Sequence, residues 1–260
     1  MQIKSFVATD VGVKRKANED NFCTNKNIGL YAVADGMGGH AAGEVASRIA
    51  VEEMENVMVE SQDAEWTLPE DYDDAFSLTA NKMKFAIHLA NERIRRTTLE
   101  NLECRGMGTT IVAAILSDNL CTIAHVGDSR AYLFRNEKLL ALTSDHSWVN
   151  EQLKQGFLTM ENARNHPFRN VITQALGSGS DIKVDLLDFP LQDGDVLLLC
   201  TDGLNCMLTD HEIYNLLRNS KPFNLDKATQ DLIEEAKLKG GDDNVTVALV
   251  EVRLSQKAPL

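Results

Sequence analysis

The chain has 260 residues, 43% of them hydrophobic, and its 39 acidic against 26 basic side chains leave a net charge of −13. Such a surface repels phosphate backbones and argues against a nucleic-acid partner. Its five cysteines, Cys23, Cys104, Cys121, Cys200 and Cys206, are widely spaced without a C-x-x-C pair, which excludes a disulfide framework or zinc ribbon and assigns them mainly to small core positions in a reducing compartment.

In chain order, the amino-terminal MQIKSFVATDVG lacks a signal-type apolar region, and nowhere do 18 apolar residues run together. No membrane segment and a cytoplasmic location are therefore expected. Three short β-type runs follow one another: KSFVATDVG, NFCTN and GLYAVA. The glycine-rich stretch ADGMGGHAAGE then leads to a helix expected from near Glu44, with Val45, Ala46, Ile49, Ala50, Met54, Val57 and Met58 on one face. From Glu52 to Asp74 there are ten carboxylates and no Lys or Arg. We read this run as a solvated face followed by an acidic connecting loop, Glu60 to Asp74. A second helix is expected where Phe76, Ala80, Met83, Ile87, Ala90 and Ile94 recur at steps of four and three, ending near Arg96.

After GMGTT, the runs TIVAAIL, LCTIAHV, AYLF and KLLAL read as a succession of hairpins in an antiparallel sheet, with a turn at Ser117, Asp118 and Asn119. Short helices are expected from His146 to Gln155 and from Thr159 to Asn165, then strands at NVITQAL, IKVDLLDF and DVLLLC. Helices near Asp210 to Arg218 and Leu225 to Leu238 precede a last strand, NVTVALVEV. Strands in runs and helices in pairs indicate the α+β class with antiparallel sheets. No Pro-rich or Gly/Ser-rich linker divides the chain, so residues 1–260 are expected to form one domain.

Carboxylates fall at the tips of the apolar runs. Asp35 ends YAVA, Asp128 follows CTIAHVG, Asp202 follows VLLLCT, Asp243 precedes NVTVALV, and Asp20 in NEDNF opens a strand. Like charges gathered at one sheet edge repel unless a cation sits among them. Oxygen donors without accompanying His or Cys suit Mg²⁺ or Mn²⁺. Gly36, with no side chain, lets its own carbonyl approach an ion. Two such ions about 4 Å apart would acidify a shared water and orient it for attack on phosphorus.

The motifs RKANEDNF, ADGMGGH, GMGTT, GDSR, LTSDHS, CTDGL and DDNVT occur in the order and approximate spacing of the metal-dependent serine/threonine protein phosphatases. From about Phe6 to Val252 the chain resembles the short bacterial form of the protein phosphatase 2C family. The resemblance implies a two-sheet antiparallel β-sandwich flanked by pairs of helices, with metals in a cleft at one end, and hydrolysis of phosphoserine and phosphothreonine in proteins. It also implies individual roles. Asp35 would bridge two tightly held Mn²⁺ or Mg²⁺ ions and Gly36 would give its carbonyl to one of them. Asp20 would bind one ion directly or through water, and Asp202 and Asp243 would complete the other. Glu19 would hold water rather than metal. Asp128 would share a weaker third ion with Asp202; the alternative is a turn carboxylate paired with Arg130. Arg15 would clamp the substrate phosphate, the alternative being a basic patch with Lys14 and Lys16. His40 stands where bacterial members carry a candidate general acid, against a plain polar cleft residue.

The expected partners are phosphoproteins that are substrates of a serine/threonine kinase, acted on by a monomer. The alternative function is a catalytically weak phosphoprotein-binding or metal-sensing form of the same fold. The polar and aromatic segment from His146 to Asn170 is the candidate substrate-selecting flap. Gly106, Gly108, Thr109 and Thr110 are expected to let a strand pass close to a neighbour, and Arg130 to anchor the GDSR turn. Ser129 has no G-x-S-x-G setting, and Cys200 and Cys206 lack a cysteine-phosphatase loop. Two departures from the family pattern are Asp242, which precedes Asp243, and Gln174, which stands where a basic residue is common.

Overall fold

Strands buried on both faces account for the long apolar runs, because such strands need no polar alternation. The structure is a computed structural model that describes residues 1–38, 42–63, 66–67, 72–164 and 166–254. In chain order it runs β1 (Gln2–Asp10), β2 (Asn21–Asn25), β3 (Leu30–Ala34), β4 (Gly36–Met37), α1 (Ala42–Glu60), α2 (Leu78–Glu100), β5 (Gly108–Thr109), β6 (Ile111–Ser117), β7 (Leu120–Val126), β8 (Arg130–Arg135), β9 (Lys138–Ala141), α3 (Trp148–Lys154), α4 (Met160–Arg164), β10 (Asp185–Pro190), β11 (Val196–Cys200), α5 (Asp202–Asn205), α6 (Asp210–Asn219), α7 (Leu225–Leu238) and β12 (Val245–Arg253). Two five-stranded sheets have the orders β1-β12-β11-β8-β9 and β10-β7-β6-β3-β2, and β4 and β5 form a separate ribbon. Every strand pairing is antiparallel.

The period of two sorts each strand between two cores. In β6, Val112, Ala114 and Leu116 face the other sheet, while Ile111, Ala113 and Ile115 pack with Ala46, Met54, Met83 and Ile87 of α1 and α2. In β11, Leu197 and Leu199 join the inter-sheet core, while Val196, Leu198 and Cys200 pack with Leu217 of α6 and Leu232 of α7. The result is four layers, helices, sheet, sheet, helices, as expected of the α+β sandwich.

Several readings from sequence need correction. TIVAAIL to KLLAL are not hairpins of one sheet: β6 and β7 belong to one sheet, β8 and β9 to the other, and the chain crosses between them at Gly127 to Ser129. The two true hairpin turns, Asp118-Asn119 and Asn136-Glu137, have left-handed φ of 50° and 64°, and of 51° and 56°, the pattern of type I′ turns. NVITQAL is not a strand, since only isolated bridges at Ile172 and Leu176 occur there. Phe76 precedes α2, which continues to Glu100. The acidic loop starts later than expected, because α1 runs to Glu60, and part of it lies outside the described residues. Of the cysteines, Cys206 is exposed.

Register fixes where the strand ends fall. Asp10 pairs with Val245, Asn21 with Ala34, Ile111 with Val126, and Cys200 with Arg130. The segments carrying Asp20, Asp35, Asp128, Asp202 and Asp243 therefore leave the sandwich at one end. Backbones there touch without room for side chains: a Cβ on Gly203 would fall 2.0 Å from the Asn244 carbonyl oxygen, and one on Gly36 2.2 Å from that of Gly43. Gly203→Ala should accordingly destabilise the fold by roughly 1–3 kcal/mol through forced separation of α5 from β12. Gly179→Ala, where a Cβ meets nothing within 4 Å, should change stability little. Urea unfolding of the two variants checks the contrast.

Candidate metal centre

A cleft of about 510 Å³ opens at this end, with Arg15, Glu19, Asp35, Gly36, Asp202 and Asp243 in its wall. Asp20 and Asp128 are buried behind it. Hydroxyl groups hold the carboxylates from the protein side. Asp20 Oδ2 accepts hydrogen bonds from Thr201 Oγ1 at 2.8 Å and Thr246 Oγ1 at 2.7 Å. The backbone of Asp35 is gripped by Thr109 and Thr110: Asp35 N–H donates to Thr110 Oγ1 at 3.0 Å, while the Asp35 carbonyl accepts from Thr109 Oγ1 at 2.8 Å and Thr110 N–H at 2.9 Å. Thr110 Oγ1 also shares a 2.6 Å hydrogen bond with Ser129 Oγ, which ties Asp35 to the GDSR turn. Asn244 stitches the amino-terminal loop to β12, accepting from Glu19 N–H at 2.7 Å and donating to the carbonyls of Val11 and Ala17, both at 2.9 Å. Thr201, Asn244 and Thr246 were not singled out from sequence, and Thr110 was expected only to let a strand pass close to a neighbour. Their signal is polarity inside or directly before apolar strands, where a buried hydroxyl or amide requires a partner.

The opposite sides of these carboxylates are unpaired. Oδ1 of Asp20, Asp128 and Asp202 is buried without a hydrogen-bond partner among the described residues. Burial, then repulsion by Asp20, Asp202, Asp128 and Asp243, holds the Asp35 carboxyl well above the usual carboxylate range. Burial pushes Asp20 up to about 7 against its two threonine hydrogen bonds, with Asp202 and Asp243 adding to the rise. Burial and then Asp243 raise Asp202 to about 6. Burial, Asp202 and Asp145 raise Asp128 as well. Buried, unpartnered oxygens that repel one another form the environment that a hard divalent cation satisfies, and the donor set is all oxygen. The residues present fit such ions.

A different trio draws its ligating atoms closer together. His125, His146 and Asp185 lie within 4.8 Å of one another, whereas no three of the cleft carboxylates do, among the described residues. Hydrogen bonding argues against that trio as a metal site. His146 Nδ1 accepts from Gly127 N–H at 3.1 Å, so the ring proton is on Nε2, which faces Asp185 Oδ2 at 3.1 Å. No lone pair of His146 is left for a metal.

Other expectations resolve residue by residue. Arg130 forks onto Asp145 with two hydrogen bonds of 2.7 Å, so it does not pair with Asp128. Asp242 pairs with Lys14 at 2.6 Å on the exposed surface, and Asp243 is the carboxylate in the cleft. Arg15 Nη2 donates to Asp243 Oδ2 at 2.6 Å, at the cleft rim. Glu19 packs on the first turn of α1, where a Cβ on Gly43 would fall 2.6 Å from Oε2. Gly108 does pass close to a neighbour, its Cβ position lying 2.9 Å from the Leu176 carbonyl oxygen; Gly106 does not and instead has a φ of +75°. Gln174 Oε1 accepts from Lys183 N–H at 2.8 Å. His40 lies outside the described residues.

Residues 14–238 match the family described as protein phosphatase 2C. The chain is 39% identical to the serine/threonine phosphatase stp of Listeria monocytogenes over 96% of each chain. It superposes on the serine/threonine phosphatase of S. agalactiae with a TM-score of 0.84 at 36% identity, covering 97% of this chain and 100% of that one. It also superposes on the catalytic domain of the serine/threonine protein phosphatase PstP, in complex with two manganese ions, with a TM-score of 0.82 at 31% identity, covering 97% of this chain and 99% of that one.

The raised carboxyls have a consequence for stability. A carboxyl with a raised folded-state pKa makes the native state bind more protons than the unfolded chain, so stability falls as pH rises. In excess EDTA the melting temperature should therefore drop between the unfolded carboxylate range, about 4, and the Asp20 value of about 7. Asp35→Asn should melt higher than the parent in EDTA at pH 8 and lose that advantage in Mn²⁺. Circular dichroism melts read both effects, and a pH-independent difference between the proteins would contradict this account.

Proposed function

Because the chain belongs to the protein phosphatase 2C family, we infer that its cleft hydrolyses phosphoserine and phosphothreonine in proteins: the chain is a metal-dependent serine/threonine protein phosphatase. The observation that carries this reading is the set of buried, unpartnered carboxylate oxygens at one end of the sandwich. In this reading Asp35 serves two Mn²⁺ or Mg²⁺ ions, Gly36 offers its carbonyl to one, Asp20 serves one of the pair, and Asp202 and Asp243 hold the other. Asp128, with Asp202, holds a weaker third. When bound, the ions supply positive charge against the phosphoryl oxygens and acidify a water near neutral pH.

The side chains narrow the chemistry further. Ser129 Oγ is buried and bonded to Thr110, so it is no nucleophile. Burial holds the Cys200 thiol up to about 12, and the exposed Cys206 thiol donates to Asp202 Oδ2 at 3.8 Å. With none of these three side chains ready to take the phosphoryl group, the attacking group in this reading is water and no phosphoenzyme forms. Arg15 is half exposed at the cleft rim and its guanidinium carries five donors, so bonding to Asp243 leaves others for two phosphate oxygens. His40 is proposed as the general acid that protonates the leaving alkoxide.

The remaining assignments are proposals of the same reading: one catalytic domain over residues 1–260, a monomer in the cytoplasm, and phosphoprotein substrates made by a serine/threonine kinase. No helix among the described residues is long and apolar enough to cross a membrane.

Release of phosphate from a phosphothreonine peptide should require added Mn²⁺ or Mg²⁺ and stop in EDTA; undiminished turnover after verified metal removal would sink the reading. Arg15→Ala should raise KM by roughly 10- to 100-fold, the equivalent of one or two charge-assisted hydrogen bonds, with a smaller fall in kcat. Lys14→Ala, which breaks only an exposed pair with Asp242, should leave both constants near the parent values.

A further inference from the structure

Asp20 opens and closes a ring of hydrogen bonds that runs through two residues with no place in the chemistry above. Its N–H donates to Asn18 Oδ1 at 3.1 Å, which fixes Nδ2 as the other end of the Asn18 amide. Asn18 Nδ2 donates to Thr9 Oγ1 at 2.8 Å, Thr9 Oγ1 and Thr246 Oγ1 share a hydrogen bond of 2.7 Å, and Thr246 Oγ1 donates to Asp20 Oδ2 at 2.7 Å. Proton count settles the direction of the shared bond. A threonine hydroxyl has one hydrogen. With Asp20 ionised, as a cation ligand must be, that of Thr246 goes to the carboxylate, so the hydrogen between the two threonines belongs to Thr9. Each member therefore donates to the next in one sense round the ring, an arrangement in which every bond polarises and strengthens its neighbours.

The ring depends on strand register. Thr9 of β1 and Thr246 of β12 are directly opposite each other, so their side chains share one face, and a slip of one residue would turn Thr9 away. Thr9 is exposed and Asn18 half-buried, whereas Thr246 and Asp20 are buried, so the ring carries a contact made at the surface down to the carboxylate. Thr201 Oγ1 adds a second donor to Asp20 Oδ2 at 2.8 Å and itself accepts from Thr246 N–H at 2.9 Å. Both donors meet Oδ2, while Oδ1 is left without a partner among the described residues.

We propose that Thr9 and Asn18 are positioning residues for the cation at Asp20: neither touches the Asp20 carboxylate, yet the ring they close occupies Oδ2 and leaves Oδ1 as the oxygen available to the ion. The assignment rests on the reading of Asp20 as a cation ligand. Removing the Thr9 hydroxyl takes the donor from Thr246 Oγ1 and the acceptor from Asn18 Nδ2, so Asp20 is loosened at its carboxylate and at its N–H in one step. Residues behind a metal ligand act on affinity in this way, by orienting the ligand.

Variants of nearly equal shape test the ring. Thr9→Val places a methyl group where the hydroxyl stood, so water cannot stand in for it, and Thr9→Ser keeps the hydroxyl. The full-length proteins are titrated with Mn²⁺ by calorimetry, and their melting in excess EDTA is followed by circular dichroism. Thr9→Val should weaken one class of Mn²⁺ sites about 10-fold, as loss of a ligand-orienting partner does, and Thr9→Ser should bind as the parent does. Asn18→Ala should weaken the same class, and the double variant Thr9→Val with Asn18→Ala should bind no more weakly than the weaker single variant, because both break one ring. Lower melting of Thr9→Val in EDTA with unchanged Mn²⁺ affinity, or weakening that adds across the double variant, overturns the proposal and leaves Thr9 as a pairing residue of β1. Asp20→Ala tests the premise separately: if every Mn²⁺ site keeps its parent affinity, the ligand reading of Asp20 fails, and if one class weakens while Thr9→Val binds as the parent does, the ring fails alone.

Discussion

Carboxylates buried together at the end of a sandwich repel one another, and much else in the molecule follows from managing that repulsion. Hydroxyl donors satisfy one side of the group, as Thr201 and Thr246 do for Asp20, but the other side is left bare. Arg15 reaches in from the rim and donates to Asp243. The unmet requirement is for small, hard positive charge, which is why the cleft selects its ions by charge and oxygen affinity. It also answers a problem posed by the whole surface: a protein of net charge −13 repels a phosphorylated substrate at long range, so attraction must come from a local reversal of potential inside the cleft.

Rigidity is supplied by backbones in direct contact. Gly12, Gly36 and Gly203 each sit where a Cβ would collide with a carbonyl oxygen, of Asp243, Gly43 and Asn244 respectively. Two of these contacts, Gly12 with Asp243 and Gly203 with Asn244, join residues distant in sequence at the points where the functional side chains leave the strands. A side chain anchored on such a backbone loses little further freedom on engaging a ligand, which is the physical content of preorganisation.

Much of the fold was legible because doubly buried strands leave uninterrupted apolar runs, and because helices α1 and α2 keep their stripes. What could not be read was the division into two sheets: Gly127-Asp128-Ser129 looks like a turn between hairpin strands, and nothing local says that it passes from one sheet to the other. NVITQAL failed for a related reason, since apolar spacing does not reveal whether a neighbouring strand is free to pair. The candidate ligands were visible as carboxylates at strand tips. Their supporting hydroxyls were less visible, because Thr246 inside NVTVALV has the composition of any β-strand and shows its role only when Asp20 is opposite it. Arg130 had one partner in view from sequence, the nearby Asp128, and only the fold brings Asp145 to it.

β12 lies between β1 and β11 in its sheet, so the earliest and latest strands of the described chain are neighbours. During synthesis β1 has no partner until almost everything else has emerged from the ribosome, and Asp20 has neither Thr246 nor Asp243 beside it until then. A chain without β12 thus lacks both Asp243 in the cleft wall and the Thr246 hydroxyl that holds Asp20, and the carboxylate cluster is complete only when the sandwich closes.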